Sequence, residues 1–156
     1  MDIKKMIKDA QELDEVMFKK GNITKYPKKE NTLAYLVELG EAMNEWQTWK
    51  YWKNNKKVDA SALLEELADC LHFALSLEGE SKRYEKFYPA YEGKIKWDYL
   101  DKKYDPLTLC AICFRNNDYV GNTIALTLAL GFTREQLVDA YYKKRNINFE
   151  RAKNGY

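Results

Sequence analysis

The sequence lacks the features that define several large classes of protein. No apolar run approaches the roughly 18 residues that a membrane span requires, and residues 1–8 carry charges throughout, without the apolar core of a signal peptide. The formal net charge is only +2 although 32% of the residues are charged, which gives no electrostatic case for a nucleic-acid-binding protein. We therefore expect neither a membrane nor a nucleic acid as a partner.

Cysteine is scarce as well. The three cysteines are an odd number in a chain long enough for a full core, so the sequence predicts a protein of the reducing cytoplasm. Cys110 and Cys113 have the CxxC spacing of redox and zinc sites. A zinc site of this kind needs a second ligand pair, which the sequence does not offer. The favoured interpretation is therefore two small residues buried on one helix.

What the sequence does contain is apolar residues at helical spacing. With 156 residues, the chain is expected to form one domain, 1–156, with a full core. No stretch shows the alternation and hairpin turns that β-strands would require. The fold class is therefore predicted to be all-α, a helical bundle. The predicted helices cover residues 3–18, about 32–53, about 60–79, 107–114, 119–130 and 134–149.

Polar residues at the predicted helix starts support these assignments. Asn31 or Thr32 is expected to cap the second helix, and Asp59 or Ser61 the third, because short polar side chains accept hydrogen bonds from the first free N–H groups. Thr133 begins a capping box at the start of the last helix.

The segment 80–106 differs from the rest of the chain. It is rich in lysine and tyrosine, contains Pro89 and Gly93, and shows no sustained period, apart from a short helix expected around 97–100. We interpret it as a surface excursion that ends at Pro106, a residue suited to a helix start. Such long loops serve as lids or partner contacts, and a plain exposed insertion is an equal alternative.

Two predicted helices carry acids at a spacing that places them on one face. Glu38, Glu41 and Glu45 form one acidic stripe, and Glu66 and Asp69 form a second at the edge of an apolar arc. Carboxylates at the border of a core are costly unless a cation meets them. Two such stripes that face each other in a bundle would hold a hard cation, and Mg²⁺ is the natural choice because it is usually shared with a substrate phosphate.

The last predicted helix supplies positive charge. Lys144, Asn148 and Arg151 are spaced four and three residues apart, so they project from one face and can grip a phosphate. Each pattern taken alone also occurs on solvated helix faces, and a basic last turn complements the helix dipole. The combination of two acid pairs with a basic triad favours a phosphate-processing site.

The acid motif resembles that of the all-α nucleoside triphosphate pyrophosphatases, the MazG-like superfamily. Within it, the chain resembles the dimeric all-α dUTPases, in a short form like those of bacteria and their phages. The resemblance is carried by ELGExxxE from Glu38, WKYWK from Trp49, LEELADCLHFALS from Leu64 and KxxxNxxRxxxGY from Lys144. The acid motif is shared by the whole superfamily, whereas the WKYWK stretch and the tail favour dUTPase. Ala152 departs from the pattern, in which glutamine is usual at that position.

This resemblance implies a homodimeric enzyme that hydrolyses dUTP, and also dUDP, with Mg²⁺ and releases pyrophosphate from dUTP. The implied magnesium ligands are Glu38, Glu41, Glu66 and Asp69. Among them, Glu41 is our candidate for the residue that activates the attacking water. The implied phosphate contacts are Lys144, Asn148, Arg151 and Lys53. The implied base and nucleotide contacts are Gln11, as the reader of uracil, with Trp49 and Trp52. His72, the single histidine of the sequence, is a further candidate nucleotide contact, and a packed helix residue is the alternative interpretation.

Two alternatives remain open from the sequence. The first is a pyrophosphohydrolase for another nucleotide, such as dCTP. The second is a non-catalytic helical module that binds a protein partner through the 80–106 segment. Turnover of a nucleotide with release of pyrophosphate would separate an enzyme from a binding module.

Overall fold

The computed structural model describes residues 1–82, 104–115 and 117–154 of the chain. Within these residues the protein consists of six α-helices and contains no strand, so the all-α prediction is confirmed. The helices are α1 (Ile3–Lys20), α2 (Lys28–Trp46), α3 (Ala60–Ser81), α4 (Pro106–Cys113), α5 (Tyr119–Ala129) and α6 (Arg134–Lys153).

The helix starts follow local chemistry. The Asp59 side chain accepts hydrogen bonds from the backbone N–H groups of Ser61 and Ala62, so Asp59 is the residue that caps α3. The predicted capping box of α6 is present, with Thr133 and Gln136 each bonding the backbone of the other. These contacts satisfy N–H groups that have no partner inside the helix.

The predicted bounds of α2 are wrong at both ends. The helix begins at Lys28, directly after Pro27, and Thr32 donates its hydroxyl to the Lys28 carbonyl inside the helix instead of capping it. It ends at Trp46 and not near Lys53, because Gln47 adopts a left-handed conformation with φ 54° and closes the last turn onto the Met43 carbonyl. This conformation stops a helix, and the WKYWK stretch therefore lies in a loop.

Other helices are longer than predicted. The first helix continues to Lys20, the third continues past Gly79 to Ser81, and the last continues to Lys153. The third helix stops where Lys82 takes a left-handed conformation. Most of the 80–106 segment, with the short helix expected at 97–100, lies outside the described residues.

The centre of the fold is α3, against which α1, α2, α5 and α6 all pack. Its predicted apolar arc is fully buried, and it consists of Leu63, Leu67, Cys70, Leu71 and Ala74. This burial brings the acidic edge of α3 beside α2 on one side and α6 on the other. The three cysteines are free thiols, with Cys113 buried and Cys110 partly buried on α4. Among the described residues, no helix is long and apolar enough to cross a membrane.

Candidate active site

A cleft of about 580 Å³ opens between α1, α2, α3 and α6, a volume within the range of small-molecule sites. Its lining combines a polar set with an apolar set. The polar set is Asp14, Glu30, Asn31, Glu38, Glu41, Glu66, Asp69, His72, Lys144, Asn148 and Arg151. The apolar set is Leu13, Met17, Phe18, Ile23, Pro27 and Phe73. The four predicted metal ligands and the predicted basic triad therefore line one cavity.

Three carboxylates converge at one end of the cleft. Oxygen atoms of Glu38, from α2, and of Glu66 and Asp69, from α3, all lie within 4.8 Å of one another. Glu41 lies one turn after Glu38 and lines the same cleft, but its side chain is more exposed. The helical spacing places each pair on one face, and the packing of α2 on α3 turns the two faces toward each other.

The electrostatics of this cluster are unfavourable for three negative charges. Burial raises the pKa of Glu38 to about 7, with further contributions from the charges of Asp69, Glu41 and Glu66. Burial and the charge of Asp69 also raise the pKa of Glu66. Without a cation the cluster therefore tends to retain a proton near neutral pH, because burial and the neighbouring like charges both oppose ionisation.

The basic face of α6 meets the acids directly. Lys144 Nζ lies 2.7 Å from Asp69 Oδ2, with both side chains largely buried. The pKa of Lys144 is raised. Burial alone would lower it, but the hydrogen bond to Asp69 and the charges of the neighbouring acids outweigh that effect. Asn148 and Arg151 line the same cleft one and two turns further along α6. One wall is therefore anionic and the facing wall cationic.

The donor set fits Mg²⁺. Oxygen ligands from carboxylates are what this ion prefers, and a partly open site leaves coordination positions for water and phosphate. The raised pKa of Glu38 agrees with this, since a bound divalent cation would offset both the burial and the repulsion that raise it. Lys144 neutralises only one of the three clustered carboxylates. The residues present are therefore consistent with one or more divalent cations.

A second polar group lies about two turns along α2 from the acids, since Asn31 precedes Glu38 by seven residues at about 1.5 Å each. Asn31 Nδ2 donates to the Tyr26 hydroxyl at 3.0 Å and to Ser76 Oγ at 3.1 Å. Ser76 Oγ in turn donates to Asp14 Oδ2 at 2.5 Å. Asp14 lines the cleft, and burial raises its pKa to about 6 although the Ser76 bond opposes this.

His72 lines the cleft between these two polar groups. Its Nε2 lies 3.9 Å from Asp14 Oδ1, which is too long for a hydrogen bond. Burial, helped by the charge of Arg145, lowers the pKa of His72 to about 4, so the imidazole is neutral. Its Nδ1 is buried and has no hydrogen-bond partner among the described residues. The ring also stacks on Tyr141, with centroids 6.3 Å apart.

The structure does not bring every predicted site residue into this cleft. Gln11 packs against the backbone of Gly79, where an added Cβ would meet its Nε2 at 2.9 Å. Trp49 and Trp52 lie in the loop after α2, where they contact each other edge to face at 5.4 Å. Lys53 donates to Gln47 Oε1 within the same loop. In the described part of the chain, none of these four is among the residues that line the cleft.

Asp14 and Asn31 line the cleft but were not predicted as site residues from the sequence. Asp14 follows Gln11 by three residues and therefore shares its helix face. That shared face, together with the proximity of Asp14 to a buried apolar stripe at Ala10 and Leu13, was the available signal. Asn31 was interpreted as a cap, but its side chain turns into the cleft. Neither role follows from spacing alone, because both depend on Ser76 from a distant helix.

Comparison with known proteins agrees with this geometry. Residues 2–156 match the family model dUTPase_2, described as dUTPase. The match covers all six helices and every residue of the cleft. No curated protein sequence matches the chain significantly. Because the family match extends over almost the entire sequence, the chain belongs to the all-α dUTPase family, and its reaction is the hydrolysis of dUTP.

Proposed function

We propose that dUTP is bound along the cleft between α2, α3 and α6 and is hydrolysed to dUMP and pyrophosphate with Mg²⁺ as the cofactor. The observation that carries this proposal is the juxtaposition of the three clustered carboxylates with Lys144. A triphosphate needs both elements, since carboxylates alone would repel it and basic side chains alone would not bind a divalent cation. The structure supports this proposal because the carboxylates and Lys144 line the same cleft.

Glu38, Glu41, Glu66 and Asp69 are the proposed ligands of Mg²⁺. When bound, the ion would supply polarisation of a phosphoryl oxygen and a lower pKa for a coordinated water. The protein supplies the positions of the ligands, because α2 and α3, which carry them, pack directly against each other. Asp69 is additionally oriented by its ion pair with Lys144. Such orientation matters because a displacement of about 1 Å is costly to catalysis.

Lys144, Asn148 and Arg151 are the proposed phosphate contacts. They lie along one face of α6, opposite the acids, and they line the cleft together. Lysine and arginine form charge-assisted hydrogen bonds with phosphate oxygens. Those bonds strengthen as negative charge develops on the phosphoryl group during transfer. We propose a further contact from Lys53, which requires the loop after α2 to turn toward the cleft from its place beside Gln47.

Glu41 is the proposed base that accepts a proton from the attacking water. It lines the cleft beside the clustered acids, and its greater exposure leaves it accessible to a water molecule. A general base must lie within hydrogen-bond reach of the proton that it accepts. Glu45, one turn further along α2, is not among the described residues that line the cleft, so it serves as a comparison.

The base of the nucleotide is proposed to lie at the Asp14 end of the cleft. The acid cluster and the Asn31 group are separated by about 10 Å along α2. This distance suits a nucleotide whose phosphates lie at the acidic end and whose base lies at the Asp14 end. His72 and the apolar side chains of Phe18 and Phe73 line the cleft beside this end. Gln11, Trp49 and Trp52 remain candidates for base and nucleotide contacts through the family resemblance, although they lie outside the cleft lining in this conformation.

A homodimer is the proposed assembly. The resemblance to dimeric all-α dUTPases supports it, and α2 carries two large apolar side chains that are exposed, Leu33 at 62% and Val37 at 48%. Exposed apolar groups on a helix are compatible with a covered surface in the assembly. Light scattering at micromolar concentration should give twice the mass of the chain, and a stable monomer would contradict the proposal.

Turnover with a panel of nucleotides tests the function. The protein is incubated with dUTP, dUDP, dCTP or dTTP, in MgCl₂ or in EDTA, and the nucleoside monophosphate and pyrophosphate are quantified. We expect dUTP to give dUMP and pyrophosphate only when magnesium is present, and dUDP to be accepted. Hydrolysis in H₂¹⁸O locates the attacked phosphorus, because the label appears in dUMP or in pyrophosphate.

The same panel decides between the alternatives. Faster turnover of dCTP than of dUTP would assign the cleft to another nucleotide. Absence of turnover with every nucleotide and metal would favour a non-catalytic binding module. Equal activity in EDTA would contradict the role of the carboxylates as magnesium ligands.

A further inference from the structure

The part of α6 that carries the proposed phosphate contacts has little apolar anchoring. Every residue of α6 is described, and its buried side chains are Leu137, Tyr141 and Ala152. The stretch 142–151, between the last two of these, contains no buried side chain, although it includes all three proposed phosphate contacts. A helix is normally oriented by an apolar stripe that faces the core, so polar contacts must fix the rotation of this stretch.

Arg145 supplies such contacts, and it directs them to α1. Its Nε donates to the Asp9 backbone carbonyl at 2.9 Å, and its Nη2 donates to Glu12 Oε2 at 2.8 Å. Asp9 and Glu12 are three residues apart on α1 and therefore share a face. The planar guanidinium holds its donors in one fixed arrangement. Bonds to two points on α1 therefore fix both the position and the rotation of α6 at Arg145.

A third contact restricts the guanidinium further. Its Cζ lies 4.6 Å from the centre of the Phe149 ring, which is one turn further along α6. Cations are attracted to the face of an aromatic ring. The Arg145 side chain is only 14% exposed. The side chain is therefore packed against Phe149 while it is bonded to α1, and this packing favours a single geometry.

Arg145 acts on the cleft from outside, since it is not among the described residues that line the cavity. Its neighbour Lys144 does line the cleft, and it pairs with Asp69 on α3. Successive residues of a helix point about 100° apart, so Lys144 faces α3 while Arg145 faces α1. These two contacts, on different sides of α6, together determine which face of the helix is turned into the cleft.

We propose that Arg145 is a positioning residue that sets the rotation of α6, so that Asn148 and Arg151 point toward the substrate phosphates. This inference rests on the proposed phosphate contacts, and it goes beyond them because Arg145 lies outside the cleft lining. Asn148 and Arg151 follow Arg145 by three and six residues, before the helix ends at Lys153. A rotation of α6 would displace both side chains together, and a displacement of about 1 Å is costly to catalysis.

The substitution Arg145→Lys separates the geometry of this side chain from its charge. Lysine keeps the positive charge, and so it keeps the electrostatic effect that Arg145 exerts on His72 in the cleft. A single ammonium group on a flexible chain does not reproduce two donors held in one plane. A loss of affinity for phosphates in this variant would therefore come from the lost geometry.

Tyr142→Phe is the matched control. The Tyr142 hydroxyl donates to Asp9 Oδ2 at 2.6 Å, so it joins the same two helices as Arg145 does. It lies next to the fully buried Tyr141, where the core already fixes α6, and it precedes the phosphate contacts in the chain. We expect this substitution to lower stability without changing the affinity for phosphates.

The test compares the binding of two ligands that differ in their phosphates. Titration calorimetry in MgCl₂ measures the affinities for dUMP and for α,β-imido-dUTP, a triphosphate analogue that resists hydrolysis. In Arg145→Lys we expect the ratio of analogue affinity to dUMP affinity to fall about 10-fold, the effect of weakening one charge-assisted hydrogen bond. In Tyr142→Phe the ratio should not change. A general loss of folded protein would lower both affinities alike, so it would leave the ratio unchanged.

A double variant tests whether Arg145 acts through Arg151. Each single variant, Arg145→Lys and Arg151→Ala, should lower kcat/KM for dUTP. If Arg145 positions Arg151, its substitution should matter less once Arg151 is absent. The combined loss should then be smaller than the product of the two separate fold-losses, because residues that act as a unit are not additive.

Two results would overturn the inference. The first is an unchanged affinity ratio in Arg145→Lys, and the second is a full multiplication of the losses in the double variant. Glu12→Ala keeps the test decisive if Arg145→Lys does not fold, because the Glu12 side chain is 65% exposed and its removal leaves the core intact. It should lower the same ratio by a smaller factor, and an unchanged ratio in Glu12→Ala would then count against the inference.

The outcomes also separate this inference from the proposed hydrolysis. A parent protein that hydrolyses dUTP, with an unchanged ratio in Arg145→Lys, would retain the proposed function and reject the role of Arg145. A selective loss of analogue affinity in Arg145→Lys, in a protein without turnover of dUTP, would support the role of Arg145 and contradict the catalytic proposal.

Discussion

The ammonium group of Lys144 lies 2.7 Å from a carboxylate oxygen of Asp69, and this contact joins the two halves of the cleft. Asp69 belongs to the acid cluster on α3, whereas Lys144 begins the basic face of α6. The contact gives the cluster a counter-charge from the protein itself. It also places a phosphate-binding cation at the edge of the cation-binding acids, as a substrate that bridges both would require.

Substitution of a clustered acid should reduce turnover without a matching loss of stability. We expect Glu38→Gln, Glu41→Gln, Glu66→Gln and Asp69→Asn each to reduce turnover by at least about 100-fold, in line with loss of an electrostatic contact to a transition state. In Glu38→Gln and Glu66→Gln the melting temperature without metal should stay the same or rise, because one repelling charge is removed. Glu45→Gln is the control and should cost less activity.

The stabilising effect of magnesium provides an independent readout of the same residues. Magnesium should raise the melting temperature of the parent protein, because a ligand that binds only the folded state stabilises it. This increase should shrink in the four variants and persist in Glu45→Gln. If magnesium never raises the melting temperature of the parent, and turnover and stability fall together in all five variants, the acids are structural.

Lys144→Ala should behave differently from the acid variants. Its removal leaves the largely buried Asp69 carboxylate without its partner, which should lower the free energy of unfolding by about 1.5–3 kcal/mol. Turnover should fall as well, because a phosphate contact is lost. Lys143→Ala is the matched control, since Lys143 is exposed and lies 3.8 Å from the half-exposed Glu65. Equal stability of the two variants in chemical denaturation would show that the Asp69 contact contributes little.

Arg151→Ala should reduce turnover while the fold persists. The residue is exposed in the last turn of α6 and lines the cleft, so it contributes more to the ligand than to the core. We expect a loss of about 10-fold to 100-fold in kcat/KM for dUTP, the range of one charge-assisted hydrogen bond. Lys153→Ala is the control, because Lys153 pairs with Glu150 at 2.8 Å outside the cleft lining. Full turnover in Arg151→Ala would remove this residue from the phosphate site.

The raised pKa of Glu38 predicts how stability depends on pH. Burial and neighbouring acids raise this pKa from 4.5 to about 7, so the folded protein holds a proton between these values that the unfolded chain releases. Stability therefore falls as pH rises through this window. The melting temperature of the metal-free protein should decrease between pH 5 and pH 8 more steeply than that of Glu38→Gln. The increase caused by magnesium should be larger at pH 8, and a pH-independent increase would contradict this.

Much of the fold was determined by local sequence. Leu63, Leu67 and Leu71 recur at helical spacing, and they form the buried side of α3 as predicted. Asp59 and Thr133 begin helices because their side chains satisfy N–H groups a few residues away. The shared face of each acid pair could also be predicted, because residues three or four apart on a helix lie on one face irrespective of tertiary packing.

The end of α2 shows where local reasoning failed. Apolar and aromatic residues continue through Trp49 and Trp52, so the pattern favoured a helix to Lys53. The backbone turns at Gln47 instead, and Trp49 Nε1 donates a second hydrogen bond to the Met43 carbonyl, which also accepts from the Gln47 N–H. Periodicity cannot detect a turn that is stabilised by such a contact.

Tertiary structure alone decided which residues share the cleft. Glu38 and Asp69 meet because α2 packs on α3, and Lys144 joins them because α6 packs on the other side of the same helix. Asp14 and Ser76 are 62 positions apart in the chain, and their hydrogen bond exists only where α1 crosses α3. The sequence by itself determined which face of each helix carries charge, since that depends on the helical repeat. It could not determine which faces meet, because that depends on how separate helices pack.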